Sequence, residues 1–218
     1  MISMKDISKK ISYDYKTIRG VIEDEFEVEK SVFITTIKYV ETEGGAISFI
    51  EEIKEKYKDA THNCQAYIIN EKPEIKRYSD DGEPQGSAGL PMLSVLEKEE
   101  LFNIVAVVTR YFGGKKLGKG GLVRAYTNGV SNCLKGNVLY RRKYIKASIN
   151  FDYGLLGIIE NFLNEGSFII IDKKYLEDVS IKLFVRENEF EDFKKKLIDM
   201  TSANINIKKE DLLMLYDN

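Results

Sequence analysis

The chain has 218 residues, 43% hydrophobic and 31% charged, a balance that excludes an intrinsically disordered protein. No apolar run reaches the roughly 18 residues of a membrane span, and the first residues, MISMKDISKK, lack the apolar segment of a signal peptide. A cytoplasmic protein without membrane contact is therefore expected. The two cysteines, Cys64 and Cys133, are too few for a disulfide scaffold or a zinc site, and we expect no metal or other cofactor.

The net charge of −2 conceals a strongly basic segment. Residues 101–151 contain no Asp or Glu but ten Lys and Arg residues, which leaves 23 basic and 35 acidic residues in the rest of the chain. So basic a segment in a nearly neutral protein indicates a local anionic partner. Alternatively, the acidic segments fold against the basic one and neutralise it within the protein.

The first 140 residues predict an N-terminal arm, residues 1–16, followed by a domain over 17–140. Residues 20–41 alternate apolar and charged side chains around a break at Glu29 and Lys30, which predicts a β-hairpin. Residues 43–57 carry five apolar side chains at helical spacing, which predicts an amphipathic helix. NCQAYIIN then predicts a short strand.

The next segment combines a turn, a strand and a glycine-rich loop. SDDGEPQGSAGLP is rich in turn residues, and the helical spacing after it places Pro91 in a first turn. NIVAVVTRYF is apolar and β-branched, and therefore predicts a central buried strand. It leads into the loop GGKKLGKGG, and GLVRAYTNGVSNCLKG predicts a helix that Gly136 closes.

A new pattern begins near residue 141 and continues to residue 218. Its segments alternate between strand-like and helical spacing in the order βαββαβ, which predicts a ferredoxin-like C-terminal domain. Both domains are therefore predicted to be α+β.

The glycine-rich loop matches a Walker A motif except at its last position. Gly113, Gly118 and Lys119 fit G-x-x-x-x-G-K-[ST], but Gly120 has no hydroxyl for magnesium, and no apolar run ending in Asp supplies a Walker B partner. A more general anion site remains, because glycines expose backbone amides and the next helix adds the positive end of its dipole. Alternatively, the glycines only permit tight packing. The residues of the predicted anion site are Arg110, Gly113, Gly114, Lys116, Gly118, Gly120, Gly121 and Arg124, extended by Lys135, Arg141, Arg142 and Lys143.

A second group of polar residues precedes that loop. His62 is the single histidine, and with Asn63 and Cys64 it offers too few ligands for zinc, so it is a structural residue, a general base or a phosphate contact. Asp80, Asp81 and Glu83 either hold magnesium together with substrate phosphates, or they close a turn and pair with Arg110 or the loop lysines.

Five aromatic residues are interspersed among the basic ones. Such rings suit stacking with unpaired bases when they are exposed, and they belong to the core when they are buried. The sequence alone does not separate these alternatives. The five are Tyr111, Phe112, Tyr126, Tyr140 and Tyr144.

Four blocks resemble the signature segments of the YigZ/IMPACT family in the family's order: KSVFIT, DATHNCQAY, SDDGEPQGSAGLPML and VVTRYFGGKKLGKGGLVRAY. Lys115 and Lys119 depart from the family pattern, as do Gln85, Ser87 and Leu90. The resemblance implies an N-terminal domain like the second domain of a small-subunit ribosomal protein, paired with a ferredoxin-like domain as in the last two domains of elongation factor G. Eukaryotic relatives regulate translation through a protein partner, and the family supplies no catalytic residue.

The expected function is therefore a noncatalytic translation-associated regulator that binds RNA or a ribosomal surface through the basic glycine-rich loop. One alternative is a kinase-like or phosphoester-acting enzyme on a small phosphorylated metabolite, with His62, Asp80, Asp81 and Glu83 as metal and acid–base residues. A second alternative is a protein-interaction module in stress regulation of translation. If the partner is RNA, His62, Asn63, Asp80, Asp81 and Glu83 form a second predicted contact.

Overall fold

The computed structural model describes residues 14–217, so most of the predicted N-terminal arm lies outside the described residues. The chain forms two compact units, which meet in sequence between Tyr140 and Arg141. Both units are α+β, and each is built on an antiparallel sheet. No helix within residues 14–217 has the length and apolar character needed to cross a membrane.

The first unit contains a five-stranded sheet in the order β2-β3-β6-β4-β5. The strands of this unit are β1 (Tyr15–Ile18), β2 (Val21–Val28), β3 (Ser31–Tyr39), β4 (His62–Ile69), β5 (Ile75–Ser79) and β6 (Ile104–Tyr111). Its helices are α1 (Glu43–Lys56), α2 (Gly89–Lys98) and α3 (Gly118–Leu134).

The hairpin and the first helix are where the sequence predicts them. Glu29 and Lys30 connect β2 to β3 with positive φ angles of 49° and 65°, as a two-residue type I′ turn requires. The Oγ1 atom of Thr42 accepts a hydrogen bond from the Gly45 amide at 3.1 Å and so caps the start of α1. Both predictions are confirmed.

β6 is the central strand of the first unit, as predicted. It pairs with β3 on one side and β4 on the other, and its residues Ile104 to Val108 are completely buried. Val105 and Val107 pack with α1, whereas Ile104, Ala106 and Val108 pack in the cluster that contains α2 and α3. Helices on both faces explain why β6 is continuously apolar and does not alternate.

The second unit has the predicted order βαββαβ, with its sheet strands arranged β10-β7-β9-β8. β9 alternates between buried and partly exposed residues, and its buried side chains pack against both helices of this unit. Its elements are β7 (Val138–Phe151), α4 (Leu156–Glu165), β8 (Ile169–Tyr175), β9 (Val179–Arg186), α5 (Phe190–Met200) and β10 (Asn206–Asp217).

Two strands were not predicted. β1 has only four residues and overlaps the end of the predicted arm. β5 is an edge strand with mostly exposed residues and the charged pair Lys76 and Arg77, so it lacks the apolar alternation that marks a half-buried strand.

Candidate functional site

Four segments that are distant in sequence meet at one end of the first sheet. β3 begins there at Ser31 and β4 begins there at His62, which lies opposite Arg110 near the end of β6. The turn between β5 and α2 carries Asp81 and Glu83 to the same place, where they contact His62 and Arg110. These are the four segments that carry the family resemblance.

Glu83 lies at the centre of this polar cluster, with a side chain only 3% exposed. Its Oε1 atom accepts hydrogen bonds from Nη1 of Arg110 at 2.7 Å and from the Tyr126 hydroxyl at 2.8 Å. Nη2 of Arg110 also donates to Oγ of Ser31 at 3.3 Å. The carboxylate and guanidinium compensate each other's charge away from water. The predicted pairing of the turn acids with Arg110 is thus confirmed for Glu83.

The anion-site hypothesis required an exposed Arg110 side chain, but Arg110 is buried. Its side chain is 6% exposed, and its guanidinium carbon lies 5.4 Å from the ring centre of Phe33 and 5.5 Å from that of Phe112. The sequence showed the charge of Arg110 but not its burial, because a basic residue at a strand end is usually solvated.

The two aspartates of the turn hold the backbone in place. The carboxylate of Asp80 accepts hydrogen bonds from the amides of Gly86, Ala88 and Gly89 at 2.8–3.0 Å, which fixes the start of α2. Asp81 accepts a hydrogen bond from Nζ of Lys54 at 2.9 Å and another from the amide of Asn63 at 2.7 Å. These carboxylates therefore serve the turn.

The side chain of Asn63 also has a structural partner, because its Oδ1 accepts a hydrogen bond from the Thr109 hydroxyl at 2.7 Å. Within residues 14–217, no group of three or more His, Cys, Asp or Glu side chains is arranged to hold a metal ion.

His62 is anchored through one ring nitrogen and faces Glu83 with the other. Its Nδ1 atom lies 2.8 Å from the carbonyl oxygen of Asp81, and because a carbonyl only accepts, Nδ1 carries the proton and donates it. Its Nε2 atom lies 3.9 Å from Oε2 of Glu83. Gly82 packs on the ring with φ +87°, and a Cβ there would lie 3.3 Å from Nδ1. The Nε2 atom thus faces a buried carboxylate.

Cys64 and Tyr126 complete the cluster as neutral groups. The Sγ atom of Cys64 donates to the carbonyl of Asp80 at 2.9 Å and lies 3.4 Å from the Tyr126 hydroxyl. Burial raises the pKa of the Cys64 thiol to about 12, and burial also raises the pKa of the Tyr126 hydroxyl far above its usual value. A thiol that stays protonated at neutral pH is a poor nucleophile.

The loop glycines have different roles. A Cβ at Gly113 would overlap the carbonyl of Lys30, and the Gly113 amide donates to Oγ of Ser31 at 3.1 Å, so this glycine allows the loop to pack on the hairpin. Gly114 and Gly118 have φ angles of 87° and 69°, which favour glycine. Gly120 and Gly121 belong to the first turn of α3.

The start of α3 borders an exposed groove of about 420 Å³. The helix begins at Gly118 without a side-chain cap and without an acidic residue in its first turn, so its first amides remain free of such partners. The groove is lined in part by Glu29, Lys115, Lys116, Leu117, Gly121, Arg124 and Asn128.

Three cations around this helix start are exposed and unpaired. Within residues 14–217, Lys116, Lys119 and Arg124 have no carboxylate within ion-pair distance, whereas Nζ of Lys115 lies 2.6 Å from the Glu29 carboxylate. Lys116 and Arg124 are predicted site residues. Lys119 is not among them, because in the sequence it stands out only as the lysine that mimics a Walker motif.

The other seven basic residues in residues 101–151 have intramolecular partners. Lys135 donates to the Asn132 side chain at 2.8 Å, and Nη1 of Arg141 donates to the carbonyl of Met214 at 2.7 Å. Neutralisation by acidic residues, the second alternative for the basic segment, thus applies to five of its ten basic residues. The residues paired with carboxylates are Arg110, Lys115, Arg142, Lys143 and Lys146.

Comparisons with known proteins identify the same two units. The Impact N-terminal domain matches residues 29–134, and a domain of unknown function, DUF1949, matches residues 149–204. The IMPACT family member YvyE of Bacillus subtilis (strain 168) is 43% identical, with 93% of this chain and 94% of the relative covered. YigZ of Escherichia coli (strain K12) is 33% identical, with 83% and 90% covered.

A crystal structure of a hypothetical protein is similar to most of the chain. It is 29% identical and has a TM-score of 0.58, with 92% of this chain and 99% of that chain covered. The match to the Impact N-terminal domain contains all four segments that meet at the polar cluster. The chain belongs to the IMPACT family.

Proposed function

We propose that this protein is a noncatalytic, translation-associated RNA-binding protein whose binding site is the groove at the start of α3. One observation carries the proposal: Lys116, Lys119 and Arg124 are exposed and unpaired within residues 14–217, beside the uncapped end of a helix. Free amides and the helix dipole favour an anion at that end, and the three cations add full charges.

The arrangement suits a polyanion better than a single small phosphate compound. Lys116 and Arg124 line an open groove, and Lys119 is exposed in the first turn of α3. A nucleic-acid backbone is held by such separate contacts to successive phosphates. The paired charges of Lys115 and Glu29 at the groove leave its net charge positive.

The architecture supports an RNA partner by analogy. The βαββαβ order of the second unit, with both helices packed on one face of the sheet, supports a ferredoxin-like fold. We infer that the two units resemble the last two domains of elongation factor G, as the sequence blocks imply, and ribosomal RNA is then the natural partner class. This step is an analogy of fold, so the charged groove carries the argument.

The enzyme alternative has less support from the same residues. A kinase needs carboxylates that are free to hold magnesium with the substrate phosphates. Asp80 binds three backbone amides, Asp81 binds Lys54 and an amide, and Glu83 binds Arg110 and Tyr126. Calorimetric titration with magnesium and ATP separates the two, because a kinase binds ATP and the proposed RNA-binding protein does not.

The direct test compares two triple variants that remove the same charge. The groove variant, with Lys116→Gln, Lys119→Gln and Arg124→Gln, removes the three exposed cations at and beside the groove. The control variant, with Lys194→Gln, Lys195→Gln and Lys196→Gln, neutralises three exposed lysines on α5. Fluorescence anisotropy with labelled single-stranded RNA at several salt concentrations gives the affinity and its salt dependence. Because each phosphate contact contributes about 0.7 to the log–log slope, the groove variant should lose a slope of about 2.

The control variant should keep most of that slope. Equal losses in both variants would show only unspecific attraction to positive charge, and RNA binding that is absent at low salt would contradict the proposal. If a partner protein copurifies stably with the chain and RNA does not, the protein-interaction alternative is favoured.

A further inference from the structure

The structure separates four of the five aromatic residues that the sequence left undecided. Tyr126 and Tyr144 are buried, and the Tyr111 hydroxyl donates to Asp59 at 2.9 Å. Phe112, by contrast, is 46% exposed, although it has no polar atom to offer to water. It directly precedes the glycine-rich loop and lies four residues before Lys116.

The backbone of Phe112 and one side of its exposed ring have fixed contacts. Its amide donates to Oγ1 of Thr61 at 3.0 Å, and the next residue, Gly113, is fixed against the hairpin. The ring centre lies 5.5 Å from the guanidinium carbon of Arg110, which is itself fixed by Glu83. A ring anchored at its backbone and at one side loses little conformational freedom when it binds a ligand.

We propose that Phe112 is a stacking platform for an unpaired base, so that the groove binds single-stranded RNA specifically. This inference rests on the proposed function and adds the ligand class. The exposed ring takes a base, while Lys116, Lys119 and Arg124 take the phosphates that flank it. Exposed aromatic rings beside cations are the usual arrangement in proteins that bind single strands, because every base has a face that can stack.

A duplex does not suit this surface equally well. Its bases are stacked on one another inside the helix, so a duplex offers Phe112 no free base face, and only the cations would contact it. A free phosphate or polyphosphate would likewise use the cations and leave Phe112 without a role. Removal of Phe112 should therefore weaken the binding of single-stranded RNA alone, whereas removal of the three cations should weaken the binding of every phosphate ligand.

The first experiment removes the ring and keeps the charges. Phe112→Ala and Phe112→Leu are titrated with a short oligouridylate, with the same backbone lacking its bases, and with an RNA duplex. We expect roughly tenfold weaker binding of the oligouridylate for both variants, because leucine keeps an apolar side chain but cannot stack. Binding of the base-free backbone and of the duplex should not change, nor should the salt slope. Tyr78→Ala, which removes another exposed ring, is the matched control.

The second experiment detects stacking directly. The chain contains no tryptophan, so Phe112→Trp introduces a single tryptophan, which can be excited selectively over the 13 tyrosines and keeps an aromatic ring at this position. Oligouridylate should quench the fluorescence of this tryptophan, and the midpoint of the quenching curve should equal the midpoint of the anisotropy titration. The base-free backbone should not quench it. The control Tyr78→Trp should show no quenching with either ligand.

Unchanged oligouridylate binding in Phe112→Ala and Phe112→Leu, or no quenching in Phe112→Trp at saturation, overturns the stacking role. Such a result leaves the proposed function intact if the groove variant still loses its salt slope. Preferential binding of duplex over single strand also overturns the inference. If the unmodified protein binds no RNA, both the proposed function and this inference are refuted.

Discussion

The side chain of Glu83 combines two donors on a single oxygen atom, and each donor comes from a different element. Arg110 belongs to β6 and Tyr126 to α3, while Glu83 itself lies in the turn before α2. A desolvated carboxylate is stable only while these donors remain, because an unpaired buried charge has a large solvation penalty. The cluster therefore holds together the end of the sheet on which the glycine-rich loop rests.

We predict that Glu83→Ala strongly destabilises the first unit. It leaves the Arg110 guanidinium buried without its carboxylate, a change that typically costs about 3–5 kcal/mol. Tyr126→Phe removes one hydrogen bond to the same carboxylate and should cost less, on the order of 1–3 kcal/mol. Urea unfolding followed by circular dichroism measures both free energies of unfolding.

Glu27→Ala is the control for Glu83→Ala, because it removes an exposed acidic side chain from an edge strand. It should change stability by less than about 0.5 kcal/mol. A Glu83→Ala variant as stable as this control would show that the buried pair does not hold the turn.

At the scale of elements, the glycine-rich loop and the first turn of α3 follow the buried strand β6 and contain two kinds of glycine. Gly113 has no space for a side chain, whereas a Cβ at Gly120, in the first turn of α3, would have open space around it. The loop spelling alone does not distinguish them, because the distinction depends on where the Lys30 backbone passes. Tertiary contacts of this kind are invisible to local spacing.

Gly113→Ala and Gly120→Ala should therefore have opposite effects. The alanine at position 113 would overlap the Lys30 carbonyl and displace the loop from the hairpin, at a cost of roughly 1–3 kcal/mol or more. The alanine at position 120 should stabilise the protein by up to about 1 kcal/mol, because alanine is the better helix former. Thermal unfolding of the two variants measures this difference, and equal melting temperatures would contradict it.

The sequence predicts elements well where one local rule decides them. The hairpin at Glu29 and Lys30 and the buried strand β6 follow from alternation and β-branched composition. β5 was missed because its exposure removes the apolar signal. In the polar cluster, the residue types of Arg110 and Glu83 suggested their pairing, but Ser31 and Lys54 were not predicted, since nothing in the spacing brings a distant hairpin and helix to the turn.

At the scale of the whole molecule, the chain contains separate cores for its two units. The clusters of the first unit include β6 and all three of its helices, and the cluster of the second unit includes β7, β9, α4 and α5. Stability then resides in two cooperative regions, since local unfolding follows contiguous packed cores.

We accordingly predict that core mutations act on their own unit. Leu183→Ala in β9 removes a completely buried side chain from the second core, and Leu96→Ala in α2 does the same in the first, each at a cost of about 2–5 kcal/mol. Hydrogen exchange read by mass spectrometry should show faster exchange in β9 but unchanged exchange in β6 for Leu183→Ala, with the reverse for Leu96→Ala. Faster exchange of both strands in either variant would mean that the two cores unfold together, and the charged groove could not then be studied apart from the second unit's stability.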